Sequence, residues 1–538
     1  MISPPAQSAA QGSTWSPLQT PVYRMLWLGA LASNLGLWMQ NVAASWDMTA
    51  LAPSPVYVAL LQTAASLPVF LVGVPAAALG DILDRRRMLI AVGAWMALAS
   101  LALAGLSATG QLGPIGLLGL TFALGLGFAF AAPLWQAVLP RLVSPAELTA
   151  AVTLSGVAIN LARAVGPALG GFALGLFGSR VVYLLNAVLY GAMIVQVVRY
   201  RPATEQQQLP PERVAGAIAA GLRFARHAPA LRAVLVRTGA VILGASGLWA
   251  LLPVVARREL GMSPLGFGAL LGAVGAGALL GAVFLPRLRA RLGVDGLVAV
   301  ATVVYAGAML VVGWLRMPAA LWPAMVASGV AWIALMSSLN VAAASAAPGW
   351  VQSRALGVYL LVFQGGLAIG SLIWGAIAAR TSTPVALAAA AGVTVLGLVT
   401  GLRYRLEAAR KEDVAPWSAW PDPTTHHEVS LEAGPVVIQR AYTVSEENRG
   451  AFLKAMRALE HVRRRDGAIA WGLHEDVERA GEFVESFTVA TWAEHLRQHR
   501  RTVAGDQAIE DRVRELGKPH EVRHFVDAWS PERPRHEH

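Results

Sequence analysis

The sequence predicts an all-α membrane bundle of twelve transmembrane helices, arranged as two six-helix pseudo-repeats and followed by a small α+β soluble domain. Three observations carry this. Of the 538 residues, 55% are hydrophobic and only 14% charged, a balance that suits lipid as the main solvent. The chain also echoes itself at an offset of 204 residues. The hairpin bearing Ala77, Arg85 and Arg87 returns as Gly281, Arg289 and Arg291, the stretch Gly166 to Gly171 meets Gly370 to Gly375, and Gln136 and Asn160 meet Asn340 and Gln364. Two patterns in register at one spacing point to a duplicated unit. Finally, the composition changes sharply at Arg403, where charged residues and histidines replace an Ala/Gly/Leu-rich run.

A helix crossing the hydrocarbon core needs about 20 mainly apolar residues. Such runs lie near 22–49, 55–79, 88–108, 113–139, 148–174 and 179–198, and again near 231–256, 264–286, 293–314, 319–345, 353–378 and 383–402. Residues 1–20 lack a basic n-region and read as a disordered lead-in, not a signal peptide. The first six-helix half is then 21–200 and the second 231–404. The connector 201–230 is cytoplasmic, with an amphipathic helix near 212–227 resting on the membrane surface. Residues 405–430, with Pro416, Pro421 and Pro423, form a linker to the soluble domain at 431–530, and 531–538 are a tail.

Loop charge sets the orientation. With the N-terminus inside, the inner loops hold Arg85, Arg86, Arg87, Arg141, Arg199, Arg201, Arg213, Arg223, Arg226, Arg287, Arg289, Arg291, Arg354, Arg403 and Arg405. The outer loops hold only Arg180, Arg257, Arg258, Arg316 and Arg380, so both termini are expected in the cytoplasm. Up to residue 400 there are 22 Arg, no Lys and 8 acids, a net of +14, whereas the remainder carries −3. The basic character belongs to membrane loops, which argues against nucleic acid as a partner. The absence of cysteine excludes disulfides, thiolate metal sites and iron–sulfur clusters. No metal or cofactor is expected.

Polar groups at membrane depth are costly unless they face water or a partner. The candidate cavity residues are therefore Asn34, Gln40 and Asn41 on the first span, Gln136 at the end of the fourth, Asn160 and Arg163 on the fifth, and Asn340 and Gln364 in the second half, beside Trp249 and Pro253. Gln136 also reads as an interhelical hydrogen-bonder. Arg163 lies about 15 residues into its span, roughly mid-bilayer at ~1.5 Å per residue. It reads either as a cation facing an anionic substrate group or a proton site, or as a structural charge bonded to carbonyls; its repeat mate is Leu367. On the same helix Gly166, Gly170 and Gly171 permit close helix approach and Pro167 bends the backbone. Asp47 falls near the outer surface and reads as interfacial, with proton handling as the alternative.

The hairpin Ala77-Ala78-Leu79-Gly80-Asp81-Ile82-Leu83-Asp84-Arg85-Arg86-Arg87 resembles the signature between spans two and three of the major facilitator superfamily, a pattern like Gly-x-x-x-Asp-Arg-x-Gly-Arg-Arg. Aligned on Asp81, the chain keeps Asp81, Arg85 and Arg86 and departs at Ala77, Ile82 and Asp84. Together with the repeat, this makes residues 20–404 similar to that superfamily, and within it to the secretion-effector and siderophore-exporter branch. The resemblance implies a conformational latch at Asp81, Asp84, Arg85, Arg86 and Arg87, with a basic anchor that has no switching role as the alternative. The second copy has Leu285 in place of the aspartate, so only the first is complete enough to latch. The Gly166-Pro167-x-x-Gly170-Gly171 stretch resembles the end of the antiporter signature of the same superfamily.

In the tail, alternation over 436–444, 468–476, 482–491 and 522–529 predicts strands, and 446–465 and 493–516 predict helices. The order β-α-β-β-α-β is ferredoxin-like and similar to the dimeric barrels of the antibiotic-biosynthesis monooxygenase type. Trp471, His474, His495 and His499 are potential pocket residues, with His495 and His499 one turn apart; the expectation is histidines on a solvated helix, with a metal pair or a catalytic pocket as alternatives. A dimerising or regulatory module is the expected role.

These readings converge on a secondary active transporter and not an enzyme. It exports a small organic molecule, siderophore-like or drug-like, across a bacterial inner membrane by alternating access, with proton antiport as the expected coupling. No Gly-Lys-Ser/Thr phosphate loop is present to run ATP coupling. The expected partners are the small-molecule substrate, the proton, the lipid bilayer and a second copy through the C-terminal domain. The competing reading is a membrane-tethered enzyme or sensor whose C-terminal domain carries the activity.

Overall fold

The computed structural model describes residues 15–82, 84–200, 214–315, 317–406, 417, 425, 429–499 and 501–528. Most of the predicted N-terminal lead-in and of the linker, the first part of the connector, and the C-terminal tail lie outside these. The chain divides into two compact units, Met1–Pro211 with Arg237–Ser337 and Leu360–Leu402, and Glu212–Val236 with Ser338–Tyr359 and Arg403–His538.

The helices run α1 (Pro21–Leu51), α2 (Pro55–Ile82), α3 (Arg85–Ala108), α4 (Pro114–Val138), α5 (Leu148–Phe177), α6 (Ser179–Arg199), α7 (Val214–His227), α8 (Pro229–Val254), α9 (Pro264–Trp314), α10 (Pro318–Ser345), α11 (Gln352–Arg380), α12 (Thr383–Leu396) and α13 (Thr400–Arg403). Proline at the first turn starts α1, α4 and α9, where the missing N–H is not needed. Ser263 caps α9 by accepting from Gly266 N at 3.2 Å. Among the described residues ten helices are long and apolar enough to cross a membrane; α1 is not one of them, and α9 counts once.

The second basic hairpin differs from expectation. Residues 287–292 are helical, and the backbone breaks at Gly293, with φ 68° and ψ −179°. Arg and Leu are good helix formers, so the helix runs on until glycine supplies a left-handed φ that other residues avoid. The offset of 204 reappears in the helix starts: Pro114 and Pro318, Leu148 and Gln352, Ser179 and Thr383. It also reappears in contacts. A Cβ on Gly170 would lie 2.7 Å from Met39 Cα, and at the equivalent places Trp374 Nε1 donates to Leu243 O at 2.7 Å.

Within the first unit, helices approach at backbone distance where glycine allows it. Gly171 of α5 faces Gly268 of α9, and Gly275 of α9 faces the Ala164 backbone of α5. Thr63 of α2 donates to Ala368 O of α11 at 2.8 Å.

The second unit contains β1 (Val436–Val444), α14 (Arg449–Asp466), β2 (Ala470–Glu475), β3 (Glu482–Val489), α15 (Trp492–His499), α16 (Ala504–Leu516) and β4 (Gly517–Val526). The sheet order is β2-β3-β1-β4, antiparallel throughout, with Ile438 opposite Phe487 and His524. Phe452, Met456 and Leu459 of α14 pack on Tyr442 and Phe483. The predicted helix 493–516 is two helices. Asp506 accepts from Val503 N at 3.1 Å, and Thr502 Oγ1 donates to Trp417 O, which starts a new helix after a break. Pro519 sits in β4, an edge strand, where a missing donor is tolerated.

A side chain at Gly171 has no room against Gly268. Gly171→Val is expected to cost about 1–3 kcal/mol by overpacking. Gly307→Ala, where nothing lies within 4 Å, is expected to be neutral or stabilising. Thermal unfolding of the two purified variants checks the contrast.

Candidate functional site

A cavity of about 60 Å³ lies among α1, α2, α5, α8 and α9. It is lined by Trp38, Asn41, Val42 and Ser45 of α1, Gln62 of α2, Pro167 of α5, Trp249, Leu252 and Pro253 of α8, and Phe267 and Leu271 of α9. None of these residues is charged. Pro167 lies one turn beyond Arg163, whose half-buried guanidinium sits 5.7 Å from the Trp38 ring. From Trp38 the aromatic rings continue to Trp249 at 6.4 Å, then Trp332 at 5.5 Å, with Tyr305 and Phe363 at 5.6 and 6.3 Å from Trp332. A cation and tilted, edge-on indoles beside uncharged amides suit an amphiphile with an apolar, polarisable body.

Next to the cavity, along α8 from Leu252 and Pro253, lies an arginine clasp. Pro253 removes a backbone donor from α8, and the next residues, Val255–Glu259, widen into a π turn that presents Arg257 and Arg258 to the C-terminus of α1. Arg257 Nη1 donates to Trp46 O at 2.8 Å, and its guanidinium lies 4.7 Å from the Trp46 ring, which stacks on Phe267 at 5.8 Å. Arg258 donates to Pro53 O at 2.6 Å, to Thr49 O at 3.0 Å and to Ala52 O. The last carbonyls of a helix have no partner within it, and two cations at that end satisfy both their hydrogen bonds and their dipole.

The predicted cavity residues separate. Asn41 lines the cavity. Gln40 does not: it is buried, with its Oε1 accepting from Ser100 Oγ at 3.0 Å and from Asn186 Nδ2, so it is a polar knot joining α1, α3 and α6. Asn34 and Asn160 each donate to their own helix, to Ala30 O at 2.8 Å and Gly156 O at 2.9 Å. Gln136 and Asn340 are exposed and Gln364 is half-buried, none of them at this cavity. Asp47 accepts from Tyr183 O–H at 2.9 Å. Gly166 backs on Trp38 and Gly170 on Met39, which draws α5 against α1.

Two of the hairpin residues have described hydrogen bonds. Asp84 caps α3 by accepting from Arg87 N at 2.8 Å, and Arg86 donates to Val197 O at 3.2 Å and Val198 O at 2.5 Å, capping α6. The Arg86 bonds staple α3 to α6. Arg85 is half-buried, Arg87 is exposed, and the side chain of Asp81 lies outside the described residues. The clasp at Arg257 and Arg258 was not singled out from the sequence, although two arginines on the side predicted to be poor in them were a usable signal. The buried Arg237, paired with Asp295, was missed as well; a charge inside a predicted span was its mark.

In the second unit, Trp471 donates to the buried Glu485 at 3.0 Å and His474 is exposed. His495 is buried, contrary to the expectation of a solvated helix face. Its ring lies 5.2 Å from Trp492, 4.7 Å from His499 and 4.8 Å from His524. Loss of hydration, reinforced by His499 and His524, pushes its pKa down to about 3. Among the described residues no three potential ligands converge on a metal geometry.

A model of the transmembrane secretion effector family matches residues 12–533. The chain belongs to that family. Part of the chain is also 28% identical over 157 residues to the staphyloferrin A transporter of Staphylococcus aureus, a match covering 29% of this chain and 40% of that relative. Among solved structures, an inward-facing bacterial homologue of the human lysosomal transporter Spinster superposes with a TM-score of 0.57 at 13% identity, covering 72% of this chain and 95% of that one. The nucleoside transporter NupG gives 0.57 at 11% identity, covering 71% and 98%. An inward-facing bacterial homologue of ferroportin gives 0.56 at 14%, covering 71% and 98%. This secretion effector is thus a membrane transporter of major facilitator type, not an enzyme.

Two outcomes follow from the geometry. Charge-assisted hydrogen bonds are worth ~1.5–3 kcal/mol each, so replacing Arg257 and Arg258 together by Gln is expected to open the clasped end. In this cysteine-free chain, labelling of Ala52→Cys by an impermeant maleimide is expected to rise at least tenfold, roughly the effect of losing one such bond. For His495, the folded domain binds fewer protons than the unfolded chain between pH about 3 and about 6.5, so its stability falls as pH drops through that window, by ~1.4 kcal/mol per unit. Hydrogen exchange of α15 in the full-length protein is expected to quicken on acidification, and His495→Leu to flatten that dependence.

Proposed function

We propose that this secretion effector exports a small organic molecule, siderophore-like or drug-like, across a bacterial inner membrane by alternating access coupled to proton antiport. The observation that carries the reading is the cavity shared by α1, α2 and α5 with α8 and α9, together with the clasp of Arg257 and Arg258 on the end of α1. A transporter of this kind alternates by breaking such a closure at one end and forming another at the opposite end. Twelve spans follow if α1 is added to the ten apolar helices and α9 is divided at Gly293. Helix starts 204 residues apart support two six-helix repeats.

The arginine count of the loops supports cytoplasmic termini, which makes the clasped end the outer one. The similarity to a protein named for staphyloferrin A supports a siderophore-like substrate. Trp38, Trp249 and Arg163 are the substrate-contacting candidates, and Asp47, held by Tyr183, is the proton-handling one. The C-terminal sheet order supports a ferredoxin-like module, with a dimerising or regulatory role.

Proteoliposomes with an imposed pH gradient and a panel of ferric-ion chelators and amphiphilic drugs test this. Gradient-dependent movement of one class is expected, and Trp38→Leu is expected to weaken its uptake by about 2- to 30-fold, the range of a cation–π contact. Movement that ignores the gradient would remove the antiport reading, and no movement of any compound would remove export.

A further inference from the structure

The second unit contains a three-way junction that no sequence motif announces. It joins α7, the turn between α10 and α11, and α15 of the C-terminal domain. At its centre Glu494 of α15 accepts from Arg501 Nη1 at 2.5 Å and Nη2 at 3.2 Å, and from Arg223 Nη2 of α7 at 3.4 Å. Arg501, itself bonded to Asp466 O at 2.8 Å, places its guanidinium 4.6 Å from the ring of Trp350 in the α10–α11 turn. Trp350 also meets Phe224 of α7 in a T-shaped contact at 6.0 Å, and Phe224 is fully buried. Further along α7, His227 faces His461 of α14 at 6.1 Å.

The position of these partners in the chain gives the junction its meaning. Helix α7 is the segment between the two six-helix halves, and it passes into α8 through Ala228 alone, whose N–H still bonds to Phe224 O at 2.8 Å. A displacement of α8 therefore moves α7. The Trp350 turn ties the ends of α10 and α11. A domain holding α7 and this turn together restrains three helices of the second half at once. Glu494 and Arg501 are both largely buried, so the restraint is weakly screened by salt.

We infer that the α14–α15 face of the C-terminal domain is an intramolecular docking surface for α7 and the α10–α11 turn, and that it works as a brake on alternating access. The inference rests on the alternating-access reading for its effect on transport, but not for its effect on conformation. A domain that favours one of two states shifts the population by its differential contact with them, so loosening the junction lets the clasped end open more often.

The full-length protein, naturally free of cysteine, allows a direct test. The readout is maleimide labelling of Ala52→Cys at the clasped end, with transport measured in parallel. Arg223→Gln removes the ion pair from α7 to Glu494 and leaves the Glu494–Arg501 bond intact; Trp350→Ala removes the ring that Arg501 and Phe224 both meet. Each is expected to raise labelling at least threefold. In a second background without Ala52→Cys, the pair His227→Cys and His461→Cys is joined by a cleavable bifunctional thiol reagent. Joining is expected to reduce transport below a tenth, and cleavage to restore it. Labelling unchanged in both junction variants, or full transport by the joined protein, overturns the brake. If no variant or parent transports any compound, the labelling result still decides it.

Discussion

Helices in lipid gain nothing from hiding apolar surface, since the lipid tails are equally apolar, and close backbone packing has to hold them. Here that packing is concentrated at glycines. Gly171 against Gly268 and Gly275 against Ala164 bring α5 onto α9, Gly170 brings it onto α1, and Gly375 meets Ala59 where α11 approaches α2. The cavity lies beside these crossings, and Pro167, one residue after Gly166 and three before Gly170, lines it. A methyl group at the tightest crossings would push the helices apart and change the shape of the space they enclose.

Once helices are packed so closely, their ends become the places where charge is useful. Arg86 caps the carbonyls of α6, and Arg257 and Arg258 cap those of α1. The chemistry is the same in both, but the consequence differs with the partner. Arg86 joins α3 to α6, its neighbour in the fold, and acts as a staple between them. Arg257 and Arg258 reach from the end of α8 to the end of α1, so the bonds they make must part if α8 and α1 separate there. The π turn after Pro253 links this clasp to the cavity, because Pro253 and its neighbour Leu252 line that cavity.

The C-terminal domain uses charge in another way. Arg463, fully buried, lies between Glu485 at 3.0 Å and Glu510 at 2.8 Å, and Tyr442 and Trp471 complete the coordination of Glu485. Buried pairs of this kind add little net stability, because desolvation offsets attraction, yet removing one partner leaves an uncompensated charge. The arrangement orients α14 and α16 on the sheet through specific bonds, and α14 and α15 in turn carry the surface that meets α7 and Trp350.

The local content of the sequence was enough for most of the elements, but not for the run of α9 through its predicted loop or the break between α15 and α16. Apolar run length placed most helix ends within a few residues, the fixed offset matched the starts of α4, α5 and α6 with α10, α11 and α12, and period-two alternation found every strand of the tail. These are properties of neighbouring residues, which composition and periodicity record. What the sequence left undecided was which polar groups meet. Gln40 and Asn41 are adjacent, yet one joins Ser100 and Asn186 while the other lines the cavity, because successive helical positions face about 100° apart and only the packed neighbours say what each direction holds. Likewise Arg86 and Arg258 are both loop-side arginines in the sequence. One staples and the other clasps because of where the carbonyls of α6 and α1 end in space, and that is settled by tertiary contact alone.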